Sequence, residues 1–196
     1  MNARLAGLLV GVAFAATIVG SPAPRAQLQL NPFSQFYENI ARAAQKNDAA
    51  LVRSLTENNV NPNQTDEEAR TGLHYAAMNG NLQILAILIK AKANLNAKDK
   101  LGNTPLHWAA DRNQAEAAQL LLDVGAAVDP ENRNGMTPLM VAASRGNVEV
   151  VQALLKKGAS VTKTDYTGRD AAGWAADSHR PPVIQAIKRA QSAQRP

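Results

Sequence analysis

The sequence predicts an all-α solenoid of about five helix-turn-helix units that are joined by hairpin-like loops. Alanine and leucine are abundant, and aromatic residues make up only 4% of the 196 residues, a composition that favours helices. Short helix pairs cannot bury their apolar faces alone, so a regular repeat of this size indicates stacked units. A 33-residue period relates threonines and alanine pairs along the chain, namely Thr71, Thr104 and Thr137, and the pairs that begin at Ala43, Ala76, Ala109, Ala142 and Ala175.

The first 26 residues are typical of an export signal. Arg4 provides a positive charge, and Leu5 to Val19 form an uncharged apolar run that is too short to cross a hydrocarbon core of ~30 Å comfortably. Small and turn-forming residues follow, as near a signal-peptidase site. Residues 1–26 are therefore predicted to be a signal peptide that directs a periplasmic or secreted protein, with an uncleaved inner-membrane anchor as the alternative. Residues 27–35 are predicted to be a linker.

Composition excludes several kinds of chemistry. The chain has no cysteine, which rules out disulfides, a thiolate metal site and a cysteine nucleophile. The net charge of +5 is modest, and the basic residues recur at helical positions where a solvated face explains them. Nucleic acid is therefore not an expected partner.

The repeat register predicts a repeat domain at residues 36–190 and a frayed tail at residues 191–196. The domain divides into an amino-terminal cap repeat, three full repeats and a carboxyl-terminal cap repeat, which are residues 36–65, 66–98, 99–131, 132–164 and 165–190.

Each full unit carries signals for two helices. The threonine is expected to cap the first helix, and Pro105 and Pro138 occupy the first helical position, where a missing N–H costs nothing. Gly80, Asn113 and Gly146 are expected to end that helix, because a left-handed residue after a helix is usually glycine or asparagine. A second helix follows, with apolar residues at helical spacing, and a hairpin leads to the next unit.

The repeat at residues 66–98 departs from its neighbours. Ala69 replaces the hairpin glycine, Gly72 replaces the helix-starting proline, and Lys92 replaces the helix-ending glycine. A residue with a Cβ at positive φ costs about 1 kcal/mol, and glycine weakens a helix. Residues 66–96 are therefore predicted to form the softest full repeat.

One stretch of the third unit carries a family resemblance. Asp99 to Ala110 reads DKLGNTPLHWAA, which matches the pattern D-x-x-G-x-T-P-L-H-x-A-A, so the chain resembles an ankyrin-repeat protein from about Phe36 to Ala190. The resemblance implies a surface that binds other proteins rather than a catalytic site. It also implies that His107 is a structural residue that hydrogen-bonds to the neighbouring repeat.

An enzyme is the alternative of another class. His107 and Asp111 are four residues apart and share a helix face, as a hydrolytic pair would require. Met140 occupies the histidine position in the next unit, and no third ligand stands at an equivalent position for a metal site, which needs roughly three or four ligands. No catalytic residue, metal or cofactor is therefore expected.

The resemblance also locates a binding surface. The position after the repeat histidine points to the concave side in this family, and it holds Tyr75, Trp108, Val141 and Trp174. These large side chains could either contact a partner or pack on one another. With neighbouring charges and apolar hairpin tips, the predicted protein-binding residues are Tyr75, Leu101, Trp108, Asp111, Arg112, Met136, Arg145, Tyr166 and Trp174.

These observations together predict a function. We expect an exported, monomeric and non-catalytic protein-protein interaction module that scaffolds or protects another envelope protein. The alternative is the same scaffold held on a membrane by residues 5–19, and a membrane is expected as a partner only in that case.

Overall fold

The computed structural model describes residues 39–194. The predicted signal peptide, the linker and the start of the amino-terminal cap repeat lie outside the described residues. Ten α-helices and no extended strand are found in the described range, which confirms the all-α prediction. In chain order these are α1 (Ile40–Gln45), α2 (Ala49–Glu57), α3 (Gly72–Asn79), α4 (Leu82–Lys90), α5 (Pro105–Asp111), α6 (Ala115–Asp123), α7 (Pro138–Arg145), α8 (Val148–Lys156), α9 (Ala171–Asp177) and α10 (Pro181–Gln194).

The helices form two stacked rows. The first helix of each pair packs on the first helices of its neighbours, from α1 through α3, α5 and α7 to α9. The second helices form an outer row in the same order, and each contacts its own first helix. In α1, α3, α5 and α7 the alanine pairs of the inner row, such as Ala109 and Ala110, are buried, because small side chains let neighbouring helices approach closely. In α9, Ala175 is buried but Ala176 is exposed. The outer row contributes larger core residues, such as Leu85 and Leu121.

The predicted helix starts are confirmed. Thr71, Thr104 and Thr137 have extended backbone geometry at the amino-terminal caps of α3, α5 and α7, and Pro105 and Pro138 are the first helical residues. These threonines and their helix partners satisfy backbone N–H groups that have no acceptor inside a first turn.

The predicted helix ends and hairpin turns are also confirmed. Gly80, Gly146 and Asn113 have φ values of 68°, 71° and 56°. Ala69 and Lys92 have φ values of 59° and 58°, although a Cβ disfavours this left-handed region. The strain inferred at these two positions of the repeat at residues 66–98 is therefore present in the structure.

Gly72 has a role that local helix preference does not explain. A Cβ at this position would lie 2.8 Å from Ile40 Cγ2 and 3.2 Å from the Ile40 carbonyl oxygen. Ile40 is fully buried in the preceding unit and cannot move aside freely. Glycine at the start of α3 therefore permits close packing of α1 on α3, and it is more than a weak helix start.

The last helix is longer than predicted. α10 runs to Gln194, so residues 191–194 are helical, whereas the frayed tail was predicted to begin at residue 191. Val183 and Ile187 are fully buried, and the helix packs on α8 and α9. This packing stabilises a helix that crosses the predicted boundary. None of the helices between residues 39 and 194 is long and apolar enough to cross a membrane.

Candidate functional site

Each hairpin between units begins with an aspartate or asparagine whose side chain accepts hydrogen bonds from the backbone of the hairpin. Asp99 Oδ1 accepts hydrogen bonds from the backbone N–H groups of Leu101 and Asn103, at 2.9 and 2.8 Å. Neighbouring hairpins are joined by backbone hydrogen bonds, such as the 3.0 Å bond from Arg133 N to the Leu101 carbonyl oxygen. The hairpin tips therefore form a row along one edge of the inner helices, and Leu101 at its tip is 55% exposed.

His107 links its own helix cap to the next hairpin. Its Nδ1 accepts from the Thr104 backbone N–H at 3.1 Å, so Nε2 carries the ring proton and donates to the Met136 carbonyl oxygen at 3.0 Å. The ring is 1% exposed, and burial lowers the pKa of His107 to about 4. His74 makes the same pair of contacts, to Thr71 N and the Asn103 carbonyl oxygen. The structural role that the resemblance implied for this histidine is confirmed.

The spacing of His107 and Asp111 does not produce a catalytic pair. The Asp111 carboxylate faces away to Arg145, whose Nε lies 2.7 Å from Oδ1, and to Arg112, whose Nε lies 3.3 Å from Oδ2. Both ring nitrogens of His107 are already engaged, so neither is free to take a proton from a substrate. In the described part of the chain, no three His, Asp or Glu side chains are grouped in a way that could hold a metal ion.

The tryptophans are anchored by the acids that open their own units. Trp108 Nε1 donates to Asp99 Oδ2 at 2.9 Å, and Trp174 Nε1 donates to Asp165 Oδ2 at 3.0 Å. The Tyr75 hydroxyl group donates in the same way to the acid that opens its unit. Each acid thus uses one oxygen to hold the hairpin and the other to hold the aromatic side chain.

This pairing was missed in the sequence, although a signal for it exists. The unit with Asn132 at its opening has Val141 at the aromatic position, while the three units that open with aspartate have Trp or Tyr there. Asn132 Oδ1 still holds its hairpin, but its Nδ2 donates to Asn103 Oδ1 at 2.9 Å and offers no second acceptor. The two positions vary together because an indole N–H or a phenol needs the second carboxylate oxygen.

Arginines cover part of the aromatic surface. The Arg70 guanidinium carbon lies 4.8 Å from the centre of the Trp108 ring, and that of Arg169 lies 4.0 Å from the centre of the Trp174 ring. Arg70 Nε is buried 3.8 Å from Asp99 Oδ2 without a hydrogen bond. The tryptophans therefore pack within the array and still remain half-buried, with ring surface open to a groove.

The hairpins and inner helices enclose an open groove of about 650 Å³, which we call the central groove. It brings together seven of the nine predicted binding residues. Its lining consists of Leu101, Asn103, His107, Trp108, Asp111, Arg112, Asn132, Met136, Val141, Ser144, Arg145 and Trp174.

The other two predicted residues lie elsewhere. Tyr75 is 5% exposed and lies beside a neighbouring depression that Arg42, Glu68 and Arg70 also line. Tyr166 is 74% exposed at a hairpin tip, and it packs against the preceding hairpin at Gly135. Tyr75, which is almost buried, and Tyr166, which is largely exposed, therefore lie outside the central groove.

Comparison with known proteins agrees with the architecture. The family model described as ankyrin repeats (3 copies) matches residues 40–132 and again residues 124–193. The search of curated proteins found no match. Ankyrin repeats mediate binding to other proteins, and the family is generally non-catalytic. The chain belongs to the ankyrin-repeat family.

Proposed function

We propose that this protein is an exported binding module that scaffolds or protects another protein of the cell envelope, and that its partner occupies the central groove. The observation that carries the proposal is the convergence of Trp108, Trp174 and the exposed Leu101 on one groove. Tryptophan and arginine are the residues most enriched among those that dominate binding energy at protein interfaces.

The groove also has the layout of a protein interface. Trp108, Val141 and Trp174 supply an apolar centre, and the exposed side chains of Arg112 and Arg145 supply a charged rim. Protein interfaces have this arrangement of an apolar centre inside a polar rim. Leu101 at the edge of the groove exposes apolar surface that a partner would remove from water.

Affinity capture with groove variants tests the proposal. Leu101→Ser removes the apolar edge, and Ser144→Trp fills the groove from a half-buried position on α7. Matched controls lie in the outer row: Val124→Ser changes another exposed aliphatic side chain at the carboxyl cap of α6, and Gln119→Trp fills a separate groove between α6 and α8.

A partner protein recovered by the wild-type chain and both controls, but lost with both groove variants, supports the groove as the binding site. If Leu101→Ser and Ser144→Trp recover the same proteins as the wild-type chain, the groove is not the binding site. Circular dichroism and urea unfolding of every variant check that the fold is intact.

Export is proposed from the amino-terminal sequence. Arg4 and the apolar run from Leu5 to Val19, followed by small residues, support cleavage after transport across a membrane. Cell fractionation and the mass of the mature amino terminus test this: loss of residues 1–26, or most of them, supports a soluble exported form. A chain that retains Leu5 to Val19 and sediments with membranes supports the tethered alternative, and a full-length chain in the cytoplasm refutes both.

A further inference from the structure

We propose that the segment bound in the central groove is an acidic one, with a carboxylate that pairs with Arg112 and Arg145 and a nearby large apolar side chain that packs between the tryptophans. This inference rests on the proposed function, because it names the chemistry of the partner at the same groove. Its starting point is the charge of a single cluster on one wall of that groove.

The cluster contains two cations and one anion. Asp111 Oδ1 lies 2.7 Å from Arg145 Nε, and Asp111 Oδ2 lies 3.3 Å from Arg112 Nε. Among the side chains that line the groove, Asp111 is the one carboxylate. The cluster therefore carries one net positive charge, and a second carboxylate, supplied by a partner, would neutralise it.

The two guanidinium groups have unused donors. Both contacts to Asp111 are made through Nε, and residues 39–194 provide no further hydrogen bond or ion pair for either side chain. The side chains of Arg112 and Arg145 are 56% and 61% exposed. Their terminal Nη groups are therefore available to a carboxylate, which arginine recognises with two parallel hydrogen bonds.

Three other cations on this face are already engaged. Arg169 donates to the Gly173 carbonyl oxygen and to Asp177, and it also stacks on Trp174. Arg70 lies between Asp99 and the Trp108 ring, and Lys100 pairs with Glu68 at the hairpin tips. Among the residues that line the groove, the excess charge is thus localised at Arg112 and Arg145, at its rim.

The apolar part of the segment follows from the neighbouring rings. Trp108 and Trp174 line the groove, and their N–H groups are held by Asp99 and Asp165. The rings are therefore ordered before a partner arrives, which reduces the entropy cost of binding. The surface that they still expose suits an aliphatic or aromatic side chain close to the acid.

The test uses short peptides as probes. Peptides from a random library displayed on phage are selected against the full chain, and each is compared with a form in which its Asp or Glu is changed to Asn or Gln. Dissociation constants are measured for the wild-type chain, for Arg112→Gln/Arg145→Gln, and for the outer-row control Lys156→Gln/Lys188→Gln, which removes the same charge from exposed positions on α8 and α10.

We expect selected peptides to carry an acid next to a large apolar residue, and to lose binding to Ser144→Trp. Removing the acid, or removing Arg112 and Arg145, should each weaken binding about tenfold, and the two changes together should weaken it little further, because they break the same contact. The control should change the dissociation constant by less than about twofold, since exposed charges at a distance are screened by salt.

Three results would overturn the inference. Acid-free peptides that bind as tightly and are blocked by Ser144→Trp would refute the acidic partner but leave the groove as a protein-binding site. Equal effects of the groove and control variants would show that only overall charge matters. A dimer of the full chain that Arg112→Gln/Arg145→Gln dissociates in sedimentation experiments would make a second copy the occupant. The proposed function is decided separately, by the capture experiment with Leu101→Ser and Ser144→Trp.

Discussion

Acid should destabilise this fold through His107, and the structure gives the reason. His107 Nδ1 accepts a hydrogen bond from Thr104 N, so a proton on Nδ1 would face another N–H group at a helix cap. The residue is only 1% exposed, so the charged ring would lose almost all of its contact with water. Protonation of His107 in the folded protein is therefore unfavourable, which agrees with the lowering of its pKa by burial from 6.5 to about 4.

The magnitude follows from proton linkage. Because the folded pKa lies below the unfolded one, the unfolded chain takes up a proton first as the pH falls. The free energy of unfolding is unaffected by this group above about pH 6.5, falls between about pH 6.5 and about pH 4, and then levels off. At about 1.4 kcal/mol per pKa unit, His107 alone should remove about 2 kcal/mol between pH 7 and about pH 4.5. Burial also lowers the pKa of His74, which acts in the same direction.

Urea unfolding of the full chain, followed by circular dichroism at both pH values, measures this effect. His107→Met is the matched variant, because Met140 occupies the same slot in the next repeat, where Thr137 still caps the helix. The variant should be less stable at pH 7, since the Met136 carbonyl oxygen loses its donor, but its loss of stability on acidification should be about 2 kcal/mol smaller.

The contributions of other titrating groups to the pH dependence cancel when the variant is compared with the wild-type chain. Burial raises the pKa of the Asp66 and Asp165 carboxyls, but hydrogen bonds, led by those from Tyr75 and Thr167, outweigh burial and leave both pKa values below normal. Both acids therefore weaken the fold at low pH in wild-type and variant alike. If His107→Met loses as much free energy between the two pH values as the wild-type chain does, the inferred role of the neutral histidine is wrong.

Four further predictions concern the repeat array. Gly72→Ala should lower the free energy of unfolding by about 1–3 kcal/mol, because the added Cβ would collide with Ile40 of the first unit. Lys92→Gly should raise the free energy of unfolding by about 1 kcal/mol, because glycine adopts the positive φ at this position without strain. Urea unfolding measures both changes, and no change in either variant would contradict the prediction for it. Asp99→Asn should keep the hairpin but cost about 1–3 kcal/mol through the lost Trp108 bond, and a change below about 0.5 kcal/mol would contradict this. Native-state hydrogen exchange should be fastest, among the full repeats, at residues 66–96, and uniform protection would refute the assignment of this repeat as the softest.

Local signals account for most of what could be predicted. Helix caps, first-turn prolines and left-handed turn residues act within a few residues of the chain. Each recurs every 33 residues, so a weak signal in one unit can be interpreted from the same position in the next unit. The same register predicted positive φ at Ala69 and Lys92, where the residue type alone would not have indicated it. The register also argued against a catalytic role for His107, because Met140 occupies the equivalent position in the following unit.

Contacts between units depended on the tertiary structure. Asp111 pairs with Arg145, which is 34 residues away, rather than with His107 on its own helix. Position 72 requires glycine because α1 and α3 stack so closely. The stacking of the inner helices likewise places Trp108 and Trp174 in one groove. A periodic sequence specifies each unit and its register, but distances between side chains of different units are set by the packing of whole helices, so only the folded array could define the groove and its charge.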